Sequence, residues 1–219
     1  MMTGMRVAPI LVVLFVASFA VRAADPVSVT KAAPKVERKT FDPADPKSPK
    51  PPLKANEIAL CEYVFRIEVD FRFAPVSVTP AAGGFRASVR IDSVAVRLSM
   101  PVTIWLPKGV DDHVRAHEEG HLRIAEAFYK DAQAAAREAA KGVVGAPVEG
   151  EGKDKNAAVQ AALQKAAAGI SDRYVVAVKG PTDEVEQIYD RITDHSRVRD
   201  VTSEAGVKLA MEEWRKSKK

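Results

Sequence analysis

Hydrophobic and polar residues alternate along part of the chain, a pattern typical of half-buried β-strands. Over residues 65–73 every odd position is apolar and every even position is charged. Residues 75–84 contain Pro80 and two adjacent glycines and are predicted to form a turn region. The alternation then resumes over residues 85–91. These segments predict neighbouring strands with one face in the core.

The alternation changes phase at Asp92-Ser93 and continues over residues 94–100. Because side chains of a strand alternate between two faces, this change requires either a β-bulge or a tight turn. Residues 102–106 continue as a strand, and Pro101 favours an edge or bulge position because proline cannot donate a ladder hydrogen bond.

Helical spacing replaces the alternation after residue 110. Asp111 or Asp112 is a suitable N-cap, and the predicted helix runs to Lys141, where Gly142 stops it. Apolar residues and two histidines recur at intervals of three and four, which places them on the stripe that packs against the domain. Those positions are His117, His121, Ile124 and Phe128.

Beyond a predicted loop at residues 145–156, further helices are predicted with a break at Gly180-Pro181. They span residues 157–178, 182–194 and 203–217. Together these elements predict an α+β fold. We expect a small antiparallel sheet, from about residue 58 to residue 106, packed on the first helix and on two or three further helices.

The N-terminal residues predict export. Residues 1–23 combine a basic Arg6 with an apolar run and small residues before a cleavage point, as in a secretory signal peptide; an uncleaved anchor is the alternative. Residues 24–55 are rich in proline and lysine and predict a disordered linker, with a wall-binding arm or a pro-segment as alternatives. Residues 56–200 are the predicted globular domain, followed by a C-terminal helix and tail over residues 201–219.

Charge and cysteine content exclude several classes of protein. The net charge of +4 falls to +2 once Arg6 and Arg22 leave with the signal, and residues 31–54 of the predicted linker alone carry +4. The domain is therefore near neutral, which predicts no nucleic-acid partner. The one cysteine, Cys61, cannot form an intramolecular disulfide and is expected to be a small buried residue. No stable membrane insertion is expected after cleavage of the signal.

The motif His117-Glu118-Glu119-Gly120-His121 suggests the chemistry. Residues at i and i+4 lie one turn apart on the same face of a helix, so both imidazoles can bind one zinc ion. Glu118 can then serve as general base toward an attacking water. A solvated helix face without metal and a zinc protein without hydrolytic activity are the alternatives.

A hydrolytic zinc site needs a third protein ligand. His195 is the histidine outside the first helix and is the leading candidate; Asp190 and Asp194 follow, and then Glu186. A carboxylate of this cluster could instead orient an imidazole through the ring nitrogen that does not bind the metal. Tyr189 could stabilise a developing oxyanion, or simply pack at an interface. His113 is an accessory ligand or a histidine at the start of the helix.

Three segments together resemble a family of predicted secreted bacterial zinc-dependent proteases, catalogued as a domain of unknown function. These segments are residues 103–107, residues 117–125 and the stretch from Tyr189 to Ser196. The resemblance covers residues 59–196, and Ser196 stands where the family pattern has glycine. It implies zinc and proteolysis, and it favours His195 and Asp190 as site residues.

The sequence therefore predicts a periplasmic or secreted zinc metallopeptidase that acts on peptides or proteins. Zinc would be held by His117, His121 and His195, with Glu118 as general base. Residues 102–106 are a candidate strand for pairing with an extended peptide. The alternatives are a non-catalytic envelope protein, with a structural zinc or none, and a cell-wall amidase.

Overall fold

The structure is a computed structural model that describes residues 25–53 and 57–219. The predicted signal peptide lies outside the described residues. The expected α+β class is confirmed, since the described chain combines seven strands with four helices. The elements are β1 (Val27–Lys31), β2 (Lys35–Phe41), β3 (Leu60–Tyr63), β4 (Arg66–Ala81), β5 (Gly84–Ser99), β6 (Pro101–Pro107), α1 (Asp112–Tyr129), α2 (Ala132–Lys141), β7 (Pro147–Gly152), α3 (Lys155–Thr193) and α4 (Ser203–Ser217).

The larger sheet is built on the long antiparallel hairpin of β4 and β5. Arg72 pairs with Ser93, whereas Phe73 pairs with Ile91, so Asp92 is an extra residue in β5. The change of phase in the sequence is therefore a β-bulge within one strand. On the other side of β5, β1 pairs in parallel and β7 pairs antiparallel.

The smaller sheet has the order β2-β6-β3. β2 is parallel to β6 and β3 is antiparallel to it. The strands of residues 58–106 pair antiparallel, as predicted, but they lie in two sheets, and each sheet also contains a parallel strand from residues 27–41. β6 is the central strand and not an edge. Pro101 is tolerated there because it is the first residue of β6, where a missing N–H costs least.

The N-terminal segment forms part of the fold, so the predicted disordered linker is wrong for residues 27–31 and 35–41. Each sheet receives one parallel strand from it, and Val27 is buried with 1% exposure. The Lys31 ammonium donates to the carbonyl oxygens of Tyr129 and Lys130 at 2.9 Å each, where α1 ends. Composition did not predict these strands. They lie at sheet edges and are held largely by backbone hydrogen bonds, which require no particular side chains.

The helices differ from prediction at three points. The first predicted helix divides at Lys130-Asp131 into α1 and α2, and the predicted loop contains β7. The break expected at Gly180-Pro181 is absent, because α3 runs through it for 39 residues. An internal proline costs a helix about 3 kcal/mol. A buried stripe that continues on both sides of Pro181 offsets this cost, and its members include Ile170, Tyr174, Val178, Thr182, Val185 and Tyr189.

Helix α3 lies directly against the larger sheet near its N-terminus. A Cβ atom on Gly150 of β7 would be 2.2 Å from the backbone nitrogen of Ala162, so backbone meets backbone here. At the other end, α3 packs with α1 and α4 around a small apolar cluster. Among the described residues, no helix is long and apolar enough to cross a membrane.

The N-terminal strand gives a test of the fold. Val27→Ala should lower the free energy of unfolding by about 1–3 kcal/mol, because two buried methyl groups are lost from the core. Val176→Ala is the matched control, since Val176 is 73% exposed on α3 and alanine favours helix. Urea denaturation of both variants measures the difference. Equal stability of Val27→Ala and wild type would mean that β1 is not part of the folded domain.

Candidate metal centre

Helix α1 places the two motif histidines one turn apart. The Asp111 carboxylate caps its start by accepting from the backbone N–H of Val114 at 2.9 Å. His117 is buried and His121 half-buried, as expected for the packing stripe. Their Nε2 atoms lie 3.2 Å apart, so both rings face one point.

Asp190 of α3 completes a group of three. Its Oδ1 atom lies 3.3 Å from His117 Nε2 and 3.1 Å from His121 Nε2. Zinc binds imidazole nitrogen and carboxylate oxygen at about 2.0–2.2 Å, so tetrahedral ligands are about 3.3–3.5 Å apart. The three atoms have spacings close to this, and the fourth position of such a site would be open.

The Asp190 oxygen gives an independent test of whether a cation fits. Asp190 Oδ1 is buried, and its contacts with the imidazoles lack the geometry of hydrogen bonds. A buried carboxylate oxygen without a partner is costly. A divalent ion among the three atoms would satisfy it. The residues present therefore fit a metal ion.

Each motif histidine also has a polar neighbour at Nδ1, the ring nitrogen that is not part of the group of three. His121 Nδ1 lies 3.4 Å from Glu186 Oε1, and His117 Nδ1 lies 3.4 Å from Thr193 Oγ1. Such contacts orient metal-binding imidazoles and leave the Nε2 lone pair for the ion. Glu186, a lower-ranked candidate ligand in the sequence, thus contacts His121 at Nδ1 and is not part of the group of three.

The carboxylates also set the charge of the site. Burial alone would lower the pKa of His121, but Asp190 and Glu186 outweigh burial and raise this pKa to about 10. Burial keeps the pKa of His117 below its usual value. Burial would raise the pKa of Asp190, yet the two histidines hold it well below its usual value. The site therefore stabilises positive charge, which a metal ion would supply in place of the His121 proton.

Glu118 lies in the same cleft, outside the group of three. The cleft is bordered by residues 57–61 on one side and by α1 and α3 on the other. Glu118 is 6% exposed, and burial raises its pKa to about 7, although the backbone N–H of Cys61 and the charge of His121 act in the opposite direction. A carboxylate with such a pKa can both accept and release a proton near neutral pH.

His195 lies at the site but outside the group. Its Nδ1 is 3.6 Å from Asp190 Oδ1, and its side chain is 54% exposed at the edge of the cleft. It belongs to a turn after α3 in which Asp194, His195 and Ser196 all have positive φ. In this conformation Asp190, and not His195, joins the motif histidines. Coordination by His195 stays a prediction.

Two other predicted residues lie elsewhere. The Asp194 side chain is exposed and contacts Arg197, so Asp194 is not brought to the cleft. His113 does not border the cleft either. These placements follow from the positions of the two residues, with Asp194 at the end of α3 and His113 in the first turn of α1.

The predicted oxyanion role of Tyr189 is wrong. Tyr189 is fully buried, and its ring stacks on His117 with centroids 4.9 Å apart and an interplanar angle of 13°. Its hydroxyl lies 3.2 Å from the His117 carbonyl oxygen and 3.0 Å from Ser203 Oγ. Tyr189 therefore packs against the face of the His117 ring and does not border the cleft.

Thr193 and Gly120 are the residues that sequence reasoning missed. Thr193 falls seven residues after Glu186, on the α3 face that also carries Tyr189 and Asp190. Treating this segment as the end of a long amphipathic helix would have identified it. Gly120 is where the Tyr189 hydroxyl approaches α1, since a Cβ there would lie 2.2 Å from it.

Comparison of the chain with known protein families, curated proteins and solved structures found no match. The resemblance to a secreted protease family therefore stays a prediction.

Gly120→Ala tests the contact between α1 and α3. The added methyl group would overlap the hydroxyl groups of Tyr189 and Ser203, so we expect a loss of about 1–3 kcal/mol in unfolding free energy and weaker metal binding. Gly169→Ala, within α3, is the control. Its methyl group meets nothing closer than Arg173 Nη1 at 3.5 Å, so about 0.5–1 kcal/mol of stabilisation is expected. Chemical denaturation compares the two, and a neutral Gly120→Ala would contradict the packing.

The ligand set predicts about one zinc ion per chain, lost in His117→Ala and His121→Ala. Asp190→Asn should weaken zinc binding by more than about 100-fold. Loss of a residue that only orients a metal ligand weakens binding by about 10–100-fold. Asp194→Asn is the matched control and should bind zinc like wild type. Competition with a chelator measures the affinities. Absence of any transition metal in zinc-supplemented wild-type protein would rule out the site.

Proposed function

We propose that this protein is an exported zinc-dependent metallopeptidase. One observation carries the proposal: Glu118, a buried carboxylate with a raised pKa, borders the same cleft as a group of two imidazoles and a carboxylate. A metal-ligand group beside a carboxylate that can exchange protons is the arrangement that water-dependent hydrolysis requires.

The ligand chemistry favours zinc. Imidazole nitrogen suits zinc, and two such ligands with one carboxylate leave a fourth position open, as in catalytic zinc sites. His117, His121 and Asp190 would hold the ion. When bound, zinc would act as a Lewis acid and lower the pKa of a coordinated water toward about 7.

Glu118 performs the proton transfers of the proposed reaction. It accepts a proton as the oxygen of the attacking water bonds to the peptide carbonyl carbon and the π electron pair moves onto the carbonyl oxygen. The C–N bond then breaks, and Glu118 returns the proton to the leaving amine. Water is consumed, and a carboxylic acid and an amine are formed.

The substrate would bind along β3 and not along residues 102–106. Those residues form the centre of β6, whose two sides already pair with β2 and β3, so they cannot pair with a peptide. β3 is an edge of this sheet within the described residues, and Leu60 and Cys61 border the cleft. An extended peptide can add its backbone to such an edge, which places its carbonyl groups beside Glu118.

Export rests on the sequence of residues 1–23, which has the charge and hydropathy of a signal peptide. The proposed substrates are therefore peptides or proteins of the cell envelope or its surroundings.

Glu118→Gln tests the mechanism. The amide retains the shape of the side chain but cannot accept the proton, so hydrolysis should fall at least about 100-fold. Zinc content and melting temperature should change little, because Glu118 lies outside the ligand group. Fluorescently labelled casein serves as substrate.

Glu119→Gln is the matched control. Glu119 is the next residue in the motif, but its carboxylate pairs with Arg38 and does not border the cleft. This variant should retain hydrolysis. Wild-type protein that contains zinc but cleaves neither casein nor cell-wall amides would instead favour a non-catalytic envelope protein. Cleavage of cell-wall amides alone would favour an amidase.

A further inference from the structure

We propose that Thr193 is a positioning residue that fixes the tautomer of His117, so that the Nε2 lone pair always faces the metal centre. The inference rests on the metal centre of the proposed function but does not depend on peptide hydrolysis. Thr193 is buried in the last turn of α3, with 2% exposure.

The contacts of the Thr193 hydroxyl determine its role. Its proton is donated to the carbonyl oxygen of Tyr189, 2.8 Å away in the preceding turn. The oxygen lies 3.4 Å from His117 Nδ1. A hydroxyl has one proton, so once this is donated to Tyr189 the oxygen can only accept toward His117.

This assignment places a proton on His117 Nδ1. A neutral imidazole carries one proton, so Nε2 is then an acceptor with a free lone pair. Nε2 is the atom that lies 3.2 Å from His121 Nε2 and 3.3 Å from Asp190 Oδ1. Thr193 thus keeps a proton off the atom that binds metal, and it does so before any ion arrives.

Without this contact the opposite tautomer becomes accessible. In that tautomer Nε2 carries a proton beside the Asp190 carboxylate, and a metal ion would have to displace that proton. The hydroxyl of Thr193 removes this competing state. Stacking on Tyr189 restricts the His117 ring plane but does not choose the protonated nitrogen.

Thr182 offers a matched control on the same helix. It is also fully buried, and its hydroxyl donates to the carbonyl oxygen of Val178 at 2.7 Å, four residues back. It therefore shares the local hydrogen bond and the burial of Thr193. Unlike the Thr193 hydroxyl, the Thr182 hydroxyl makes no hydrogen-bonding contact with a motif histidine, so any effect of losing the local bond alone will appear in Thr182→Val.

The experiment combines zinc affinity with nitrogen NMR of the full-length chain. Thr193→Val should weaken zinc binding by about 10-fold or more in chelator competition, the scale for a residue behind a ligand. Thr182→Val should change the affinity by less than about 3-fold, and Thr193→Ser should restore it by returning the hydroxyl. Histidine labelled with ¹⁵N in the metal-free protein, assigned with His117→Gln, should report a proton on Nδ1 of His117 in wild type and not in Thr193→Val.

The wild-type spectrum decides the inference even if Thr193→Val does not fold. A proton on His117 Nε2 in the metal-free wild type would overturn it, as would zinc affinities that Thr193→Val and Thr182→Val lower equally. Failure of the proposed function has a different signature, namely wild-type protein that binds no zinc or hydrolyses no peptide while the tautomer of His117 is as assigned.

Discussion

The contact between Gly120 and Tyr189 is the interaction on which the candidate site depends. Because Gly120 has no side chain, the Tyr189 hydroxyl reaches the backbone of α1 and its ring stacks on His117. Asp190, the next residue, is thereby carried to the Nε2 atoms of both motif histidines. A larger residue at position 120 would push α1 and α3 apart and move the Asp190 carboxylate away from the two imidazoles.

The N-terminal strands contact α1 at two points. Arg38 of β2 makes two hydrogen bonds to the Glu119 carboxylate, at 2.7 and 2.9 Å, so the motif itself is tied to the smaller sheet. Lys31 contacts the carbonyl groups at the far end of α1, where a cation is favoured by the helix dipole. The segment before residue 42 thus contacts α1 near its middle and at its C-terminal end.

The parts that could be predicted from the sequence are those with a local cause. Helical spacing placed His117 and His121 on a buried stripe, and alternation located the change of phase at Asp92, which the structure shows to be a bulge. The failures have non-local causes. Strands β1 and β2 are ordered by pairing with distant strands, and Pro181 stays helical because its neighbours are buried. The roles of Tyr189 and Asp190 depend on which face of α3 meets α1, which no single segment determines.

Helix α3 sets the distance and the rotation of the candidate site relative to the larger sheet. Its N-terminal end is fixed where Gly150 meets Ala162, and its C-terminal end supplies Glu186, Tyr189, Asp190 and Thr193. A single inserted or deleted residue between these ends would turn the site face by about 100°. Loops absorb changes of length, but a helix fixed at both ends cannot. A change of length within this stretch would therefore disrupt the site, so the number of residues between β7 and the site matters as much as the site residues themselves.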